Sequence, residues 1–239
     1  FMADELVERV KRIAATTWTR TLSDRAGVSF EELNRKEKEP ESPLPCKEAL
    51  LADRPDHLIE HNSVVHSADP GNKYGFRIEV PENKYNLGEI YNLCISRGTL
   101  TDEERFKIND HIVQTIVMLE SLPFPKHLER VPEIAGGHHE KMDGTGYPKG
   151  LKANQMSTQA KIMAIADIYE ALTAADRPYK DGKKLSSAMR IMGFMKNDYH
   201  IDVDLFEIFV KSGVYKKYAE DYVAKTQIDD VDEEVILEP

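Results

Sequence analysis

The sequence predicts a mainly α-helical fold with one small β-hairpin around residues 74–97. From Leu100 almost to the end of the chain, apolar residues recur at helical spacing, and capping residues precede the runs. In the hairpin region Phe76, Ile78 and Val80 instead alternate with polar residues, which is the period of a strand. The chain has 239 residues, which is enough to bury a sizeable core.

Charge and cysteine usage exclude several classes of protein. The net charge is −10 and the sequence pI is about 5.4, which argues against a binder of nucleic-acid polymers or membrane surfaces. No apolar run reaches the roughly 18 residues of a membrane span. Cys46 and Cys94 are far apart and have no metal-binding spacing, so we interpret them as packed thiols of a reducing compartment. These features predict a cytoplasmic protein.

Residues 1–99 are predicted to hold helices, a connection and the hairpin. The chain opens in helical rhythm as far as about Leu22, and "SFEELNRK" predicts a second helix capped by Ser29. The proline-rich, charged residues 36–56 are interpreted as a surface connection, and "YGFRIEVP" and "GEIYNLCIS" as the paired strands. The helical opening has no cap before it, which suggests a chain cut from a longer protein. At the other end, residues 213–239 are predicted to form a helix and a solvated acidic tail.

Three helices in the central region, residues 100–212, carry the residues of chemical interest. The first begins "LTDEERFKINDH", where Thr101 and Glu104 form a capping-box pattern and His111 lies on an apolar face. The second is "VPEIAGGHH", with two histidines at its end. The third, "STQAKIMAIADIYEALT", places Asp167 on a face of small apolar residues. An ionised carboxylate in such surroundings needs a cation, a charged partner or hydrogen bonds.

The adjacent residues His138 and His139 suggest a metal centre. Successive helical residues point about 100° apart, so both can reach one ion only where the helix ends or bends; otherwise they serve two ions. The two glycines before them allow such a bend. Together with His111 and Asp167 they would make a suitable ligand set for Fe, Mn or Zn. Alternatively, His111 is a hydrogen-bonded core histidine and Asp167 pairs with an arginine or lysine.

Beyond these residues, "HHEKMDGTGYPKGL" resembles the HHE…GxGYP signature of HD-GYP domains, a branch of the HD superfamily of metal-dependent phosphohydrolases. The resemblance runs from about Leu100 to Phe209 and includes "AIADIYEALTAADRPYK" and "HIDVDLFEIF" in the family's order. It implies an HD-domain-like helical bundle with metals held between helices. It also implies hydrolysis of the bacterial messenger cyclic di-GMP at a centre of two or three metals, commonly iron or manganese.

The resemblance also implies roles for individual residues. The implied metal ligands are His111, His138, His139 and Asp167. The implied loop beside the site consists of Gly146, Tyr147 and Pro148. Arg177 and Lys180 match positions that hold ligand phosphates, which suits a guanidinium fork and a nearby ammonium group; alternatively, they pair with acidic neighbours. We predict that Glu140 orients an imidazole, and that Asp143 either joins the site or forms a turn.

The sequence departs from the family at the motif that names it. No His-Asp dipeptide occurs in the 239 residues, and "DH" at 110–111 reverses the order. The family's catalytic lysine, which follows that motif, therefore has no match, and the catalytic residue is unknown. His57 and His61 have an i, i+4 spacing but different surroundings, so we favour an ordinary exposed pair over a metal role.

Two explanations fit the missing motif. We favour the C-terminal part of a longer phosphohydrolase that acts on cyclic di-GMP; the alternative is a degenerate, non-catalytic module that binds a nucleotide or a protein partner in signalling. A third interpretation, an HD phosphohydrolase acting on another nucleotide or a phosphomonoester, is disfavoured by the Gly-Tyr-Pro loop. For the isolated chain we predict an incomplete metal site and little or no hydrolysis.

Overall fold

The computed structural model describes residues 3–62, 65, 67, 71–96, 98–175 and 182–238. Within them the fold is mainly helical, as predicted. The helices are α1 (Asp4–Ala14), α2 (Phe30–Lys36), α3 (Glu89–Leu93), α4 (Asp102–Glu120), α5 (Val131–Gly136), α6 (Thr158–Thr173), α7 (Leu185–Asn197), α8 (Val203–Lys211), α9 (Val214–Tyr222) and α10 (Glu233–Leu237). The strands are β1 (Thr17–Arg20), β2 (Cys46–Ala49), β3 (Leu58–Ile59) and β4 (Tyr85–Asn86). None of the described helices combines the length and the apolar character needed to cross a bilayer.

The chain divides into two compact units. The first comprises Phe1–Val65 with Glu79–Ile108, and the second comprises His66–Ile78 with Asn109–Pro239. The boundaries of these two units differ from those of the predicted regions 1–99, 100–212 and 213–239. The division into three regions therefore stays a prediction.

The first unit contains both small sheets. Strand β1 pairs antiparallel with β2, and β3 pairs antiparallel with β4. The predicted cap of α2 is confirmed, because the Ser29 side chain accepts a hydrogen bond from the amide of Glu32. The first helix is shorter than predicted and ends at Ala14, because the Thr-rich segment after it joins the β1–β2 sheet.

The hairpin predicted from "YGFRIEVP" and "GEIYNLCIS" is wrong. The second of these segments forms the short helix α3 instead. Its first-turn amides have an acceptor from a distant part of the chain, since Asp53 Oδ1 accepts the amide of Ile90 at 2.9 Å and that of Tyr91 at 3.2 Å. A carboxylate at this position satisfies donors that a helix leaves unpaired. Strand β4, which lies between the two segments, pairs with β3.

The alternation in "YGFRIEVP" has another physical cause. Phe76 is buried and Ile78 packs beside it, in a cluster of the second unit that is built on Ile112 and Ile116 of α4. The residue between them, Arg77, donates its amide to the carbonyl of a loop proline rather than to a strand. The alternation therefore arises because every second side chain faces the core, and the segment is not part of a hairpin.

The main core of the second unit lies among α6, α7, α8, α9 and α10. Its largest fully buried side chains include Phe206 and Tyr215. The acidic C-terminal end is not the solvated tail that was predicted, because Ile236 of α10 is buried in this core and Gln227 is only 8% exposed. Apolar burial of this kind is what holds a short terminal helix in place.

Candidate metal centre

Three histidines meet in the second unit. His111 lies on α4, and His138 and His139 follow the end of α5. Their ligand nitrogens all lie within 4.8 Å of one another, and the Nε2 atoms of His139 and His111 are 3.1 Å apart. Two imidazole nitrogens bound at right angles to one ion, at about 2.1 Å each, would lie about 3 Å apart. The donor set therefore fits a transition-metal ion.

The end of α5 explains why adjacent histidines can converge. The helix ends at Gly136, and the two histidines occupy the turn that follows. A Cβ at Gly136 would lie 2.7 Å from Ile116 Cδ1 of α4, and one at Gly137 would lie 2.9 Å from Ala160 Cβ of α6. Only glycine permits such close packing, which presses the end of α5 against both neighbouring helices. The convergence of His138 and His139 required a helix end or bend at this point, and the structure contains a helix end there.

Hydrogen bonding fixes the tautomer of one histidine. His138 Nδ1 lies 2.7 Å from the carbonyl oxygen of Ala135. A carbonyl can only accept, so Nδ1 carries the proton and the neutral ring presents its Nε2 lone pair. A backbone partner of this kind typically orients a metal-ligating imidazole.

Burial keeps the neighbouring imidazole neutral. Desolvation, followed by the charges of His138 and His111, lowers the pKa of His139 to about 4, while Asp167 opposes the shift. A neutral imidazole is the form that binds a metal. The ring of His139 is therefore ready to act as a ligand at neutral pH.

Asp167 is placed differently from the three histidines. Among the described residues, the group of ligand atoms within 4.8 Å of one another consists of the histidines alone. Asp167 is exposed on α6, while Ala160 and Ala164 of the same helix are buried. Burial, followed by the charge of Asp167, raises the pKa of Tyr147, and the same charge opposes the lowering of the His139 pKa. The structure thus groups three of the four predicted ligands, and ligation by Asp167 stays a prediction.

The Gly-Tyr-Pro loop packs against the histidines. The ring of Tyr147 stacks on that of His139, with centroids 4.8 Å apart and planes 21° apart, and the Tyr147 amide donates to the His139 carbonyl at 3.1 Å. A Cβ at Gly146 would come within 2.5 Å of Glu140 Cα, so this position requires glycine. Pro148 is fully buried, and its carbonyl accepts the amide of Arg77 at 2.7 Å. These contacts restrict the rotation of the His139 ring.

Glu140 acts on this loop and not on an imidazole, which corrects our prediction. Its side chain is 1% exposed. Oε1 accepts the amide of Lys149 and Oε2 that of Leu151, each at 2.7 Å. Burial raises the pKa of Glu140, while these amides and that of Gly150 oppose the shift. The prediction failed because the partners are backbone amides, which leave no signature in side-chain identity.

The other predicted residues take various places. Asp143 is a turn residue, since its Oδ1 accepts the amide of Thr145 at 2.8 Å. Arg177 and Lys180 lie outside the described residues. His61 Nε2 lies 3.0 Å from the carbonyl oxygen of Pro81, and among the described residues it belongs to no group of potential metal ligands.

Sequence reasoning also missed Asp110, the residue before His111. Its side chain is buried, and Oδ2 accepts a hydrogen bond from Gln114 Nε2 at 3.0 Å. Its Oδ1 has no partner within the described structure. An unsatisfied buried carboxylate oxygen is costly. The aspartate of "DH" was interpreted only as a reversed motif, and nothing in the sequence marked it as buried.

Comparison with known proteins identifies a family and several relatives. The HD domain family matches residues 45–205 of the chain. The "3'3'-cGAMP-specific phosphodiesterase 1" of Vibrio cholerae is 35% identical over 147 residues, which cover 58% of this chain and 33% of that protein. The "Cyclic di-GMP phosphodiesterase PA4108" of Pseudomonas aeruginosa is 39% identical over 119 residues, or 49% of this chain and 28% of that protein.

A third relative is the "Cyclic di-GMP phosphodiesterase response regulator RpfG" of Xanthomonas campestris, 45% identical over 115 residues, or 47% of this chain and 30% of that protein. The chain thus spans a third or less of the length of these curated relatives. The family match covers more than half of the 239 residues. On this match, together with the histidine and Gly-Tyr-Pro motifs, the chain belongs to the HD domain family, as a member of the HD-GYP type.

Proposed function

We propose that the chain, alone or within a longer protein, belongs to a metal-dependent phosphohydrolase that cleaves a phosphodiester of a cyclic dinucleotide such as cyclic di-GMP. The observation that carries this proposal is the cluster of three histidines, with ligand nitrogens within 4.8 Å, beneath the Gly-Tyr-Pro loop. The relatives support the substrate class, since they are named as cyclic di-GMP and cGAMP phosphodiesterases.

The proposed metal is iron or manganese, with zinc as the alternative, because imidazole and carboxylate donors suit all three. His111, His138 and His139 would hold it, with Asp167 as the fourth predicted ligand. When bound, such an ion acts as a Lewis acid toward a phosphate and activates water.

The chain's own residues would support this chemistry by fixing the positions of the ligands. The bond from His138 Nδ1 to the Ala135 carbonyl orients one imidazole. Tyr147 stacks on the second imidazole, and Glu140 holds the backbone of the loop after Tyr147. Arg177 and Lys180 are proposed to contact phosphate oxygens that do not react, which would place the scissile bond.

The first test measures bound metal. The chain is purified without chelator, and Fe, Mn and Zn are measured by plasma mass spectrometry for the wild type, His138→Ala and the control His127→Ala. His127 is exposed and lies outside the cluster. We expect metal in the wild type and the control, and its loss from His138→Ala. Equal metal in all three would overturn the proposed centre.

The second test addresses the reaction. Cyclic di-GMP is incubated with the metal-loaded chain and with any longer natural protein that contains it, and formation of the linear dinucleotide is followed by chromatography. We expect hydrolysis by the longer protein and little or none by the isolated chain. Failure of the longer protein to hydrolyse or bind either cyclic di-GMP or cGAMP would contradict the proposed substrate class.

A second candidate function is a non-catalytic module that binds a nucleotide or a protein partner in signalling. The absence of a His-Asp dipeptide from the 239 residues favours it. Saturable binding of cyclic di-GMP by the longer protein, without any turnover, would support this function over hydrolysis.

A further inference from the structure

Helix α1 of the first unit carries exposed apolar side chains along one edge. The helix packs against α3, and its most buried positions are Val7, Val10 and Ala14, which have the i, i+3, i+7 spacing of one helical stripe. Leu6 and Ile13 flank this stripe and are 47% and 48% exposed. Because they are seven residues apart, their side chains project in nearly the same direction, one above the other. The first unit thus leaves an apolar edge of α1 open to a partner.

The charges of α1 are separated along its length. Its first half carries three acidic residues and its second half three basic residues, in the order Asp4, Glu5, Glu8, Arg9, Lys11 and Arg12. Lys11 and Glu8 form an ion pair within the helix, with Nζ and Oε1 3.1 Å apart. Glu5 and Arg12 are exposed and have no ion pair among the described residues. Each half of α1 therefore presents charge of one sign to an external partner.

We propose that α1 is a self-association surface, against which α1 of a second copy of the chain lies antiparallel about a twofold axis. In this arrangement Leu6 packs beside Ile13 of the partner subunit. Glu5 then lies only about 3 Å along the helix axis from Arg12 of the partner subunit, so opposite charges meet at both ends of the contact. A parallel arrangement would place each of these charges beside its own copy, and like charges repel. The charge pattern therefore selects the antiparallel pair.

A second copy of the chain fits this surface for two further reasons. A twofold pair uses the same patch on both subunits, and it is the commonest assembly of identical chains. The whole chain carries a net charge of −10 and repels its own copies, whereas the charges of α1 cancel, so contact is favoured at this helix. The helix has 11 residues and is about 16 Å long, which is short for an interface of the usual roughly 1,200–2,000 Å². We therefore expect a weak, reversible dimer with a dissociation constant in the micromolar range.

Sedimentation equilibrium over a range of chain concentrations measures the dimer dissociation constant. The variant Leu6→Glu places a charge in the apolar contact and should raise this constant at least about tenfold. The matched control is Leu22→Glu, which adds the same charge at a leucine that is 76% exposed in the same unit and lies outside α1. The control should stay within about twofold of the wild type. Circular dichroism checks that the helical content of each variant is preserved.

Charge reversal tests the arrangement without changing an apolar side chain. Glu5→Lys and Arg12→Glu should each weaken the dimer about tenfold, because a twofold dimer contains the pair twice and attraction becomes repulsion in both. An equimolar mixture of the two variants should associate within about twofold of the wild type. In the mixed dimer the introduced lysine of one copy faces the introduced glutamate of the other, and the two unchanged residues also form a pair of opposite charges.

Three results would overturn the proposal. The first is a wild type that stays monomeric at every concentration; protection of the α1 amides from hydrogen exchange in a longer natural protein would then show that another part of the same polypeptide covers this edge. The second is an equal loss of association in Leu6→Glu and Leu22→Glu, which would place the contact elsewhere or make it a matter of net charge. The third is a mixture of the two charge variants that associates no better than either variant alone.

Discussion

The substitution Glu140→Gln tests how the loop beside the histidines is held. It replaces one carboxylate oxygen with an NH₂ group of nearly the same size. Because each oxygen accepts a backbone amide at 2.7 Å, one of these amides would then face another donor. The side chain is 1% exposed, so water cannot readily take the place of the lost acceptor.

The expected magnitude follows from this geometry. A hydrogen bond to a charged group contributes about 1.5–3 kcal/mol, and leaving a buried donor unsatisfied costs about 1–3 kcal/mol. Glutamine is neutral, so the variant no longer bears the desolvation penalty of a buried carboxylate, and this gain offsets part of the sum. We therefore expect the free energy of unfolding to fall by about 3 kcal/mol. For a chain of this size the midpoint of thermal unfolding should fall by about 6–12 °C.

Urea and thermal unfolding, followed by circular dichroism, measure this change. The matched control is Glu129→Gln, an exposed glutamate of the same unit, which should alter the free energy of unfolding by no more than about 0.5 kcal/mol. If Glu140→Gln were as stable as this control, the two amide contacts would not hold the loop, and our account of Glu140 would be refuted.

Three further predictions concern the histidine cluster. Gly146→Ala would bring its Cβ within 2.5 Å of Glu140 Cα, so calorimetric titration should show affinity for Mn²⁺ at least about tenfold weaker. Tyr147→Leu removes the ring stacked on His139 and should weaken Mn²⁺ binding in the same assay by about two- to tenfold, without loss of the fold. In metal-free protein, the pKa of His139 lies below its usual 6.5, at about 4, so the contribution of neutral His139 to stability is present above pH 6.5 and is lost as the pH falls toward 4. The variant His139→Gln should therefore show a free energy of unfolding in urea that varies less with pH across this range. An unchanged pH dependence would contradict the lowered pKa of His139.

The parts of the fold that the sequence predicted depend on local chemistry. Ser29 and Thr101 lie directly before their helices, and both make the predicted capping bonds. The hairpin failed because the first turn of α3 is capped by Asp53, far away along the chain, and because Phe76 alternates toward a core that no local pattern reveals. Local signals cannot report such long-range partners.

The candidate site shows the same difference between features that the sequence could predict and features that it could not. Side-chain identity and spacing were sufficient to select the three histidines that the structure groups, and the glycines before His138 and His139 indicated the helix end. The role of Glu140 was not predictable, since its carboxylate accepts the backbone amides of Lys149 and Leu151. Any residue can supply a backbone amide or carbonyl, so these partners leave no pattern.

The most direct test of the metal centre is the metal content of the chain before and after removal of one histidine. Wild-type protein and His111→Ala, both purified without chelator, are compared by plasma mass spectrometry after loading with Mn²⁺ and removal of unbound ion. The account predicts a bound ion in the wild type and its loss from the variant, with the fold preserved in both, because His111 supplies one of the three converging nitrogens. Equal metal content in the two proteins would contradict the account, since the histidine cluster would then not be what holds the ion.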